Sequence, residues 1–316
     1  MQFNVFPHGS KFDFMRLRWA STALSVLLLV VAVGAMATKG FNFALDFTGG
    51  IGVELRYAQA PDVDDVRTSL ERAGYDSAVV QTFGSGADLL VRLQAPEEGS
   101  PGSNTEGIGD SVARAASLPG NAAEKRSSAE ISPQVGKELA QNGIYAMLFV
   151  VIGFLAYISF RFEWKFAVAA IIATLHDVVV VAGWFAFSGH EFDLTVLAGV
   201  MSVMGYSIND TIVVFDRVRE NFRGMRATPR EILNASVNQT LSRTVITSFV
   251  AFLTVIALYL YGGGSLEGMA LSQMMGIVIG TISSIFIACP LLLWFGVSKQ
   301  DLMPKARDDA ALARRP

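Results

Sequence analysis

The run Leu194–Phe215 is 22 residues long, apolar enough to cross a bilayer, and carries Asn209 and Asp210 inside it. An ionisable group buried in a membrane helix costs roughly 2.5–3.5 kcal/mol on insertion scales. A chain keeps such a residue where the group pairs, faces water or moves charge. Asp210 is therefore the first candidate for function, and any fold proposed for this chain must place it inside a membrane.

Composition supports that reading. An apolar content of 52% and a charged content of 17%, with a mean hydropathy of +0.42, suit a polytopic α-helical membrane protein with one moderate soluble part. Six runs are long enough to span: 19–37, 143–160, 166–187, 194–215, 244–261 and 269–295. Ala35-Met36-Ala37 would suit a signal-peptide cleavage site, but the apolar core before it exceeds the usual signal-peptide length of about 7–15 residues. The segment reads as a retained first helix. Cys289 is the single cysteine, and His8, His176 and His190 are scattered, so neither a disulfide nor a metal or cofactor site is expected.

The positive-inside rule sets an expected orientation. With segment 1–18 inside, the inner segments hold Lys11, Arg16, Arg18, Arg161, Lys165 and the basic loop 216–243, with Arg217, Arg219, Arg223, Arg226 and Arg230. The tail 298–316 adds five more basic residues, whereas the short outer loops Ser188–Asp193 and Gly262–Gly268 hold none. Both termini are thus expected in the cytoplasm. The long loop 38–142 is expected outside, and 143–297 forms a five-helix bundle. Arg217–Arg230 reads as an amphipathic helix on the inner surface or a solvated loop.

Loop 38–142 looks folded. Ile51–Tyr57 alternates as a strand, Val63–Ala73 has helical spacing closed by Gly74, and Ala78–Phe83 with Asp88–Leu93 forms a hairpin across Gly84-Ser85-Gly86. A polar stretch, Glu97–Gly107, precedes a helix near Ile108–Ser117, and Glu124–Ile131 supplies a last strand. The order βαββαβ predicts an α+β, ferredoxin-like domain. It contains no histidine or cysteine, which points to docking rather than catalysis.

Polar residues recur within the membrane runs. Ala170, Ala173, Thr174 and Asp177 share a face of the third; Gly199, Ser202, Gly205 and Asn209, beside Asp210, line the fourth. The fifth offers Arg243, Thr247, Ala251 and Thr254, and the sixth Ser272, Gly276, Gly280 and Ser284. Small residues at this spacing often only pack. Packing needs no carboxylate, so Asp177 and Asp210 call for more. Asp210 lies five residues short of the inner boundary, ~7.5 Å at the helical rise. Arg243 on the antiparallel neighbour could reach it, or could instead snorkel toward anionic lipid. A buried Asp near an Arg holds two protonation states of similar energy, which suits a proton-coupled machine.

One outer domain after the first helix, followed by five close helices, resembles half of a resistance–nodulation–division transporter. Asp46, Phe47, Thr48, Gly49 and Gly50 are similar to the Asp-Phe-Thr-Gly-Gly signature of the SecD/SecF family in that superfamily. ISPQVG at 131–136, RFEWKFAVAAIIATLHDVVV, GYSINDTIVVFDRVREN and NQTLSRTVITS resemble the same family's later motifs. The resemblance covers residues 11–299 and departs at the insertion around 97–109.

It implies a subunit that joins SecD and associates with the SecYEG channel and YajC. That complex uses the proton-motive force to promote late steps in the export of secreted preproteins across the bacterial inner membrane. It further implies proton transport by Asp210 and Arg243, with Asp177 in a less defined role and Asn209 in support. Transporters of this type place their site between two pseudo-equivalent bundles, so this chain alone should move protons poorly. Membrane lipid is an expected contact and nucleic acid is not, nor is catalytic turnover expected. The rivals are half of a proton-driven small-molecule or lipid exporter, a passive scaffold, and an intramembrane aspartyl protease. The last needs a Gly-x-Gly-Asp context, whereas Asp210 follows Ser-Ile-Asn and Asp177 follows Thr-Leu-His.

Overall fold

Six helices are long and apolar enough to cross a membrane in the computed structural model, which describes residues 12–76, 78–83, 86–93, 105–131 and 133–302. The first eleven residues, the hairpin tip Gly84-Ser85, the polar stretch through residue 104, Ser132 and the tail beyond Leu302 lie outside the described residues.

Helix α1 (Arg18–Thr38) leads through β1 (Asn42–Phe43) and a single turn, α2 (Leu45–Thr48), into the outer domain. There β2 (Gly50–Arg56), α3 (Val63–Arg72), β3 (Val79–Phe83), β4 (Asp88–Leu93), α4 (Thr105–Ala116) and β5 (Glu124–Ile131) follow in turn. The sheet order β3-β4-β2-β5, antiparallel throughout, is the ferredoxin-like arrangement expected from the sequence. Alternation explains it: Ile51, Val53 and Leu55 on β2 and Leu89, Val91 and Leu93 on β4 point to one face. They form a core there with Val66 and Leu70 of α3 and Val112 and Ala116 of α4.

The chain re-enters the bundle as α5 (Pro133–Arg161), α6 (Trp164–Ser188), the short β6 (Glu191–Phe192), α7 (Leu194–Gly224), α8 (Pro229–Tyr261) and α9 (Gly264–Ser283). A π-helical turn, Ser284–Ala288, joins α9 to α10 (Cys289–Trp294), the end of the sixth crossing. Pro290 lacks an amide hydrogen, so the Phe286 carbonyl has no donor four residues on. Ser21 Oγ of α1 donates to that oxygen at 3.0 Å.

The region 216–243 is not a loop. Helix α7 continues to Gly224, and α8 starts at Pro229 with a capping box between Thr228 and Glu231. The two extensions form a helical hairpin whose Val218, Phe222, Ile232, Leu233 and Val237 continue the core of the bundle, shared with Phe162, Phe166 and Leu292. Asn221 Nδ2 crosses it, donating to Ser236 Oγ at 2.8 Å and Gln239 Oε1 at 3.0 Å. Hydropathy alone misses this because the basic side chains lie on the outer face of a helix whose inner face stays apolar.

Close approach holds the bundle. A Cβ on Gly276 would lie 2.0 Å from Val203 Cγ2, and one on Gly199 would lie 1.9 Å from Ser272 Oγ, so α7 and α9 pack nearly backbone to backbone. The same holds for Gly183 of α6 against Ala32 of α1, at 2.2 Å. Small residues at such crossings replace the hydrophobic drive that lipid removes.

Candidate functional site

The Asp46–Gly50 signature lies at the joint between domain and bundle. Gly49 and Gly50 adopt positive φ, and a Cβ on Gly50 would come within 2.4 Å of the Leu93 carbonyl. Only glycine fits there. Asp46 Oδ2 accepts from the Leu194 amide at 3.2 Å, sharing the start of α7 with Asp193, whose Oδ1 takes the Val196 amide at 2.6 Å. Two carboxylates thus meet the positive end of a long helix. Phe47 joins Phe43 and Phe192 in an aromatic cluster, while the Thr48 hydroxyl bonds the Ala44 carbonyl. Beside them burial pushes the carboxyls of Glu191 and Asp193 above the usual range. For Glu191 the Arg92 guanidinium opposes that shift, while Asp193 and Asp46 add to it.

Asp177 is fully buried near the middle of α6. Its Oδ2 accepts from Ser207 Oγ of α7 at 2.5 Å and Ser283 Oγ of α9 at 2.6 Å, and its Oδ1 lies 3.0 Å from His176 Nδ1. Three helices therefore converge on one carboxylate. Ser207 and Ser283 were not singled out from the sequence. Ser283 lies one residue before Ser284, the last of the stripe read on the sixth helix, and Ser207 lies between Gly205 and Asn209 of the stripe read on the fourth, on another face.

Asp210 is held far less firmly. It is 3% exposed, and its hydrogen bond comes from Ser248 Oγ of α8 at 3.4 Å. Ser248 is itself engaged by Thr281 of α9 at 2.7 Å and by the Thr244 carbonyl at 2.7 Å. The neighbouring hydroxyls of Thr211 and Thr244 are buried without a protein partner. Arg243 lies within electrostatic range of Asp210, but no ion pair of 4.0 Å or less joins them among the described residues.

The structure brings Asp210 to the interior and leaves Asn209 and Arg243 exposed on the flank of the bundle. The fifth helix turns Thr244 and Ser248 inward, whereas Arg243, Thr247 and Thr254 face out. The buried stripe is thus one residue over from the one read in the sequence. In the fourth helix Gly199 lies in the seam with Val203 and Ser207, while Ser202 is exposed. A helix apolar nearly all round gives periodicity nothing with which to choose between stripes about 100° apart.

The profile of the SecD/SecF C-terminal region of protein export membrane proteins matches residues 112–298, and that of the SecD/SecF GG motif matches residues 34–61. The protein translocase subunit SecF of Pseudomonas aeruginosa is 45% identical over 300 residues, 94% of this chain and 95% of that protein. SecF of Escherichia coli O157:H7 is 42% identical over 300 residues, 94% of this chain and 92% of its own. A crystal structure of SecDF from Thermus thermophilus, described as translocon-associated, superposes with a TM-score of 0.80 at 36% identity. This chain spans 92% of its own length there but 40% of the SecDF chain. SecDF in a super-membrane-facing form gives 0.67 at 35% identity, over 98% of this chain and 41% of that one.

Proposed function

Because this chain belongs to the SecD/SecF family of protein-export membrane proteins, we propose that it couples proton entry through its bundle to movement of its outer domain during export. It is a multi-pass accessory subunit of the Sec translocase, of the SecDF type. The proposal adds the proton-motive force as energy source, the bacterial inner membrane as location, and an orientation with domain 38–142 in the periplasm and both termini in the cytoplasm.

One observation carries it. Asp210 is a carboxylate at membrane depth with, among the described residues, one long hydrogen bond, beside an exposed flank bearing Asn209 and Arg243. Polar and charged groups at that depth are expensive against lipid. They are better satisfied by a second bundle, and SecD is the partner of that shape, since this chain accounts for 40% of the SecDF chain. Arg243 is then shared across the subunit boundary. Protonation of Asp210 releases that attraction, and each charge crossing the potential supplies ~2.3 kcal/mol per 100 mV. The SecYEG channel, YajC and preproteins in transit complete the assembly in this reading. Asp177, by contrast, serves as a pin that keeps α6, α7 and α9 in register.

The test is export of a slow-folding secreted protein into membrane vesicles containing this chain and SecD. Asp210→Asn and Arg243→Ala should each remove the gradient-driven part while the complex still assembles. Full gradient-driven export by Asp210→Asn would sink the proton-coupling reading.

A further inference from the structure

The outer domain is joined to the bundle by two covalent passages that lie side by side. One enters at Gly49–Gly50, and the other leaves between Ile131 and Pro133; Gly50 and Ile131 are register partners on neighbouring strands. Two adjacent attachments define a hinge, leaving rotation about the line through them. A third, off-axis tie would remove that freedom.

Arg92 provides one. It lies on β4, across β2 from β5, opposite Gly52 in register, and its side chain is 7% exposed. Nη1 pairs with Glu191 Oε1 at 2.8 Å and donates to the Phe43 carbonyl at 2.9 Å, while Nη2 donates to Asn42 Oδ1 at 3.1 Å. All three acceptors belong to the small sheet that caps the bundle, in which Asn42 pairs with Glu191 and Phe43 with Phe192 in parallel. That sheet is tied to the membrane helices by Asn42 Nδ2 on the Gly189 carbonyl at 3.1 Å, and the adjoining α2 by Asp46 on the Leu194 amide. Beyond the latch, a cavity of about 390 Å³ is lined by Val80 and Thr82 of β3 on one side and by Glu191, Asp193, Glu267 and Leu271 on the other, leaving room for the domain to tilt.

We propose that Arg92 is the positioning residue that ties the outer domain's tilt to the α6–α7 corner of the bundle, through Glu191. A planar guanidinium with three acceptors from one rigid sheet fixes direction as well as distance. With the tie closed, any rearrangement of α6 and α7 around Asp177 and Asp210 turns the domain as a body. With it open, the domain rotates about the Gly50–Ile131 hinge and motion of the bundle is lost. The meaning of the tie for export rests on the proton-coupled reading above, but its existence does not.

The experiment uses the complex with SecD, with spin labels at Glu71→Cys on α3 and Tyr261→Cys at the end of α8; Cys289 is fully buried and stays unlabelled. Arg92→Gln and Glu191→Gln should each broaden the inter-label distance distribution and reduce gradient-driven export. The double variant should be no worse than the worse single, the signature of one shared interaction. Glu191→Gln leaves Arg92 its bonds to Asn42 and Phe43, so folding of the domain is kept. Unchanged distances in both single variants would overturn the tie. Broadened distances with full export would overturn its role in transmission. Failure of Asp210→Asn to affect export would remove the proton reading while the distance measurement still judged the tie.

Discussion

Ser207 Oγ lies 2.5 Å from Asp177 Oδ2, joining α7 to α6. Three residues further along α7, Asp210 receives its bond from α8 at 3.4 Å. Two buried carboxylates in one bundle thus meet opposite conditions, one enclosed by donors and one left nearly free. Each buried hydrogen bond contributes about 0.5–1.5 kcal/mol, which marks the first as the proposed structural anchor. The second is held by a longer bond.

Asp177→Ala should therefore destabilise the bundle. It removes the acceptor shared by Ser207 and Ser283, while Ser283 retains the Gly280 carbonyl at 3.1 Å. A loss of about 2–4 kcal/mol is expected, read as a lower melting temperature in detergent. Asp177→Asn keeps an acceptor oxygen and should recover most of it. Equal stability of Asp177→Ala and the parent chain would refute the anchor.

Asp210→Asn should do the reverse. The long bond from Ser248 has little to lose, so stability should hold to within about 1 kcal/mol of the parent's. Gradient-driven export should fall to the level seen without a gradient. A strongly destabilised Asp210→Asn would place this carboxylate with Asp177 as a structural group.

Much of this was legible in the residues. Alternation marked Ile51–Tyr57 as a strand and the turn residues between Ala78–Phe83 and Asp88–Leu93 marked a hairpin, and the insertion that blurred the domain's second half did not displace β5. The cost of a membrane carboxylate singled out Asp177 and Asp210. Neither the stripe of α8 nor the serines that hold each carboxylate could be read, because both depend on which flank of an apolar helix meets its neighbours. The hairpin beyond residue 215 had a local signal in Thr228-Pro229-Arg230-Glu231, a cap with proline at the first helical position. Arg92 gave none. A charged residue in an amphipathic strand reads as solvated until its tertiary partner is known.

Gly276→Ala tests the close crossing of α7 and α9. The added methyl would lie 2.0, 2.6 and 2.8 Å from three atoms of Val203, a β-branched side chain with little room to turn. Overpacking of this kind costs about 1–3 kcal/mol. Gly153→Ala, with nothing within 4 Å of the new carbon, should be neutral by the same thermal measurement. A destabilisation no greater than that of Gly153→Ala would show that the helices can separate freely.

Topology can be checked by labelling single cysteines in intact cells. Glu71 on α3 and Arg226, in the turn between α7 and α8, are both exposed. Glu71→Cys should react with an impermeant reagent from outside, and Arg226→Cys only after the membrane is opened. The reverse pattern would invert the bundle and with it the direction of proton entry.

Acidity should act on the Arg92–Glu191 tie before it acts on the domain. Burial raises Glu191 above its ordinary 4.5, and Asp193 and Asp46 reinforce the shift against the pull of Arg92. A carboxyl raised in the folded state contributes stability that is full below the unfolded value and lost as pH rises through the folded one. Acidification therefore strengthens the fold on this group's account while erasing the charge that holds Arg92. The groups facing the tie are Asp46, Asp193, Glu267 and His190. Between neutral pH and a pH low enough to protonate Glu191, whose carboxyl is raised, the label-to-label distances from Glu71→Cys to Tyr261→Cys should broaden with no fall in melting temperature. Glu191→Gln should be broad at both ends and insensitive to pH, whereas His190→Gln should keep the response. A pH response that survives Glu191→Gln would assign the switch to another group. If Glu191 is the group, an acidic outer compartment loosens the domain, and in the proton-coupled reading proposed above the same gradient would both drive the bundle and set how firmly the domain follows it.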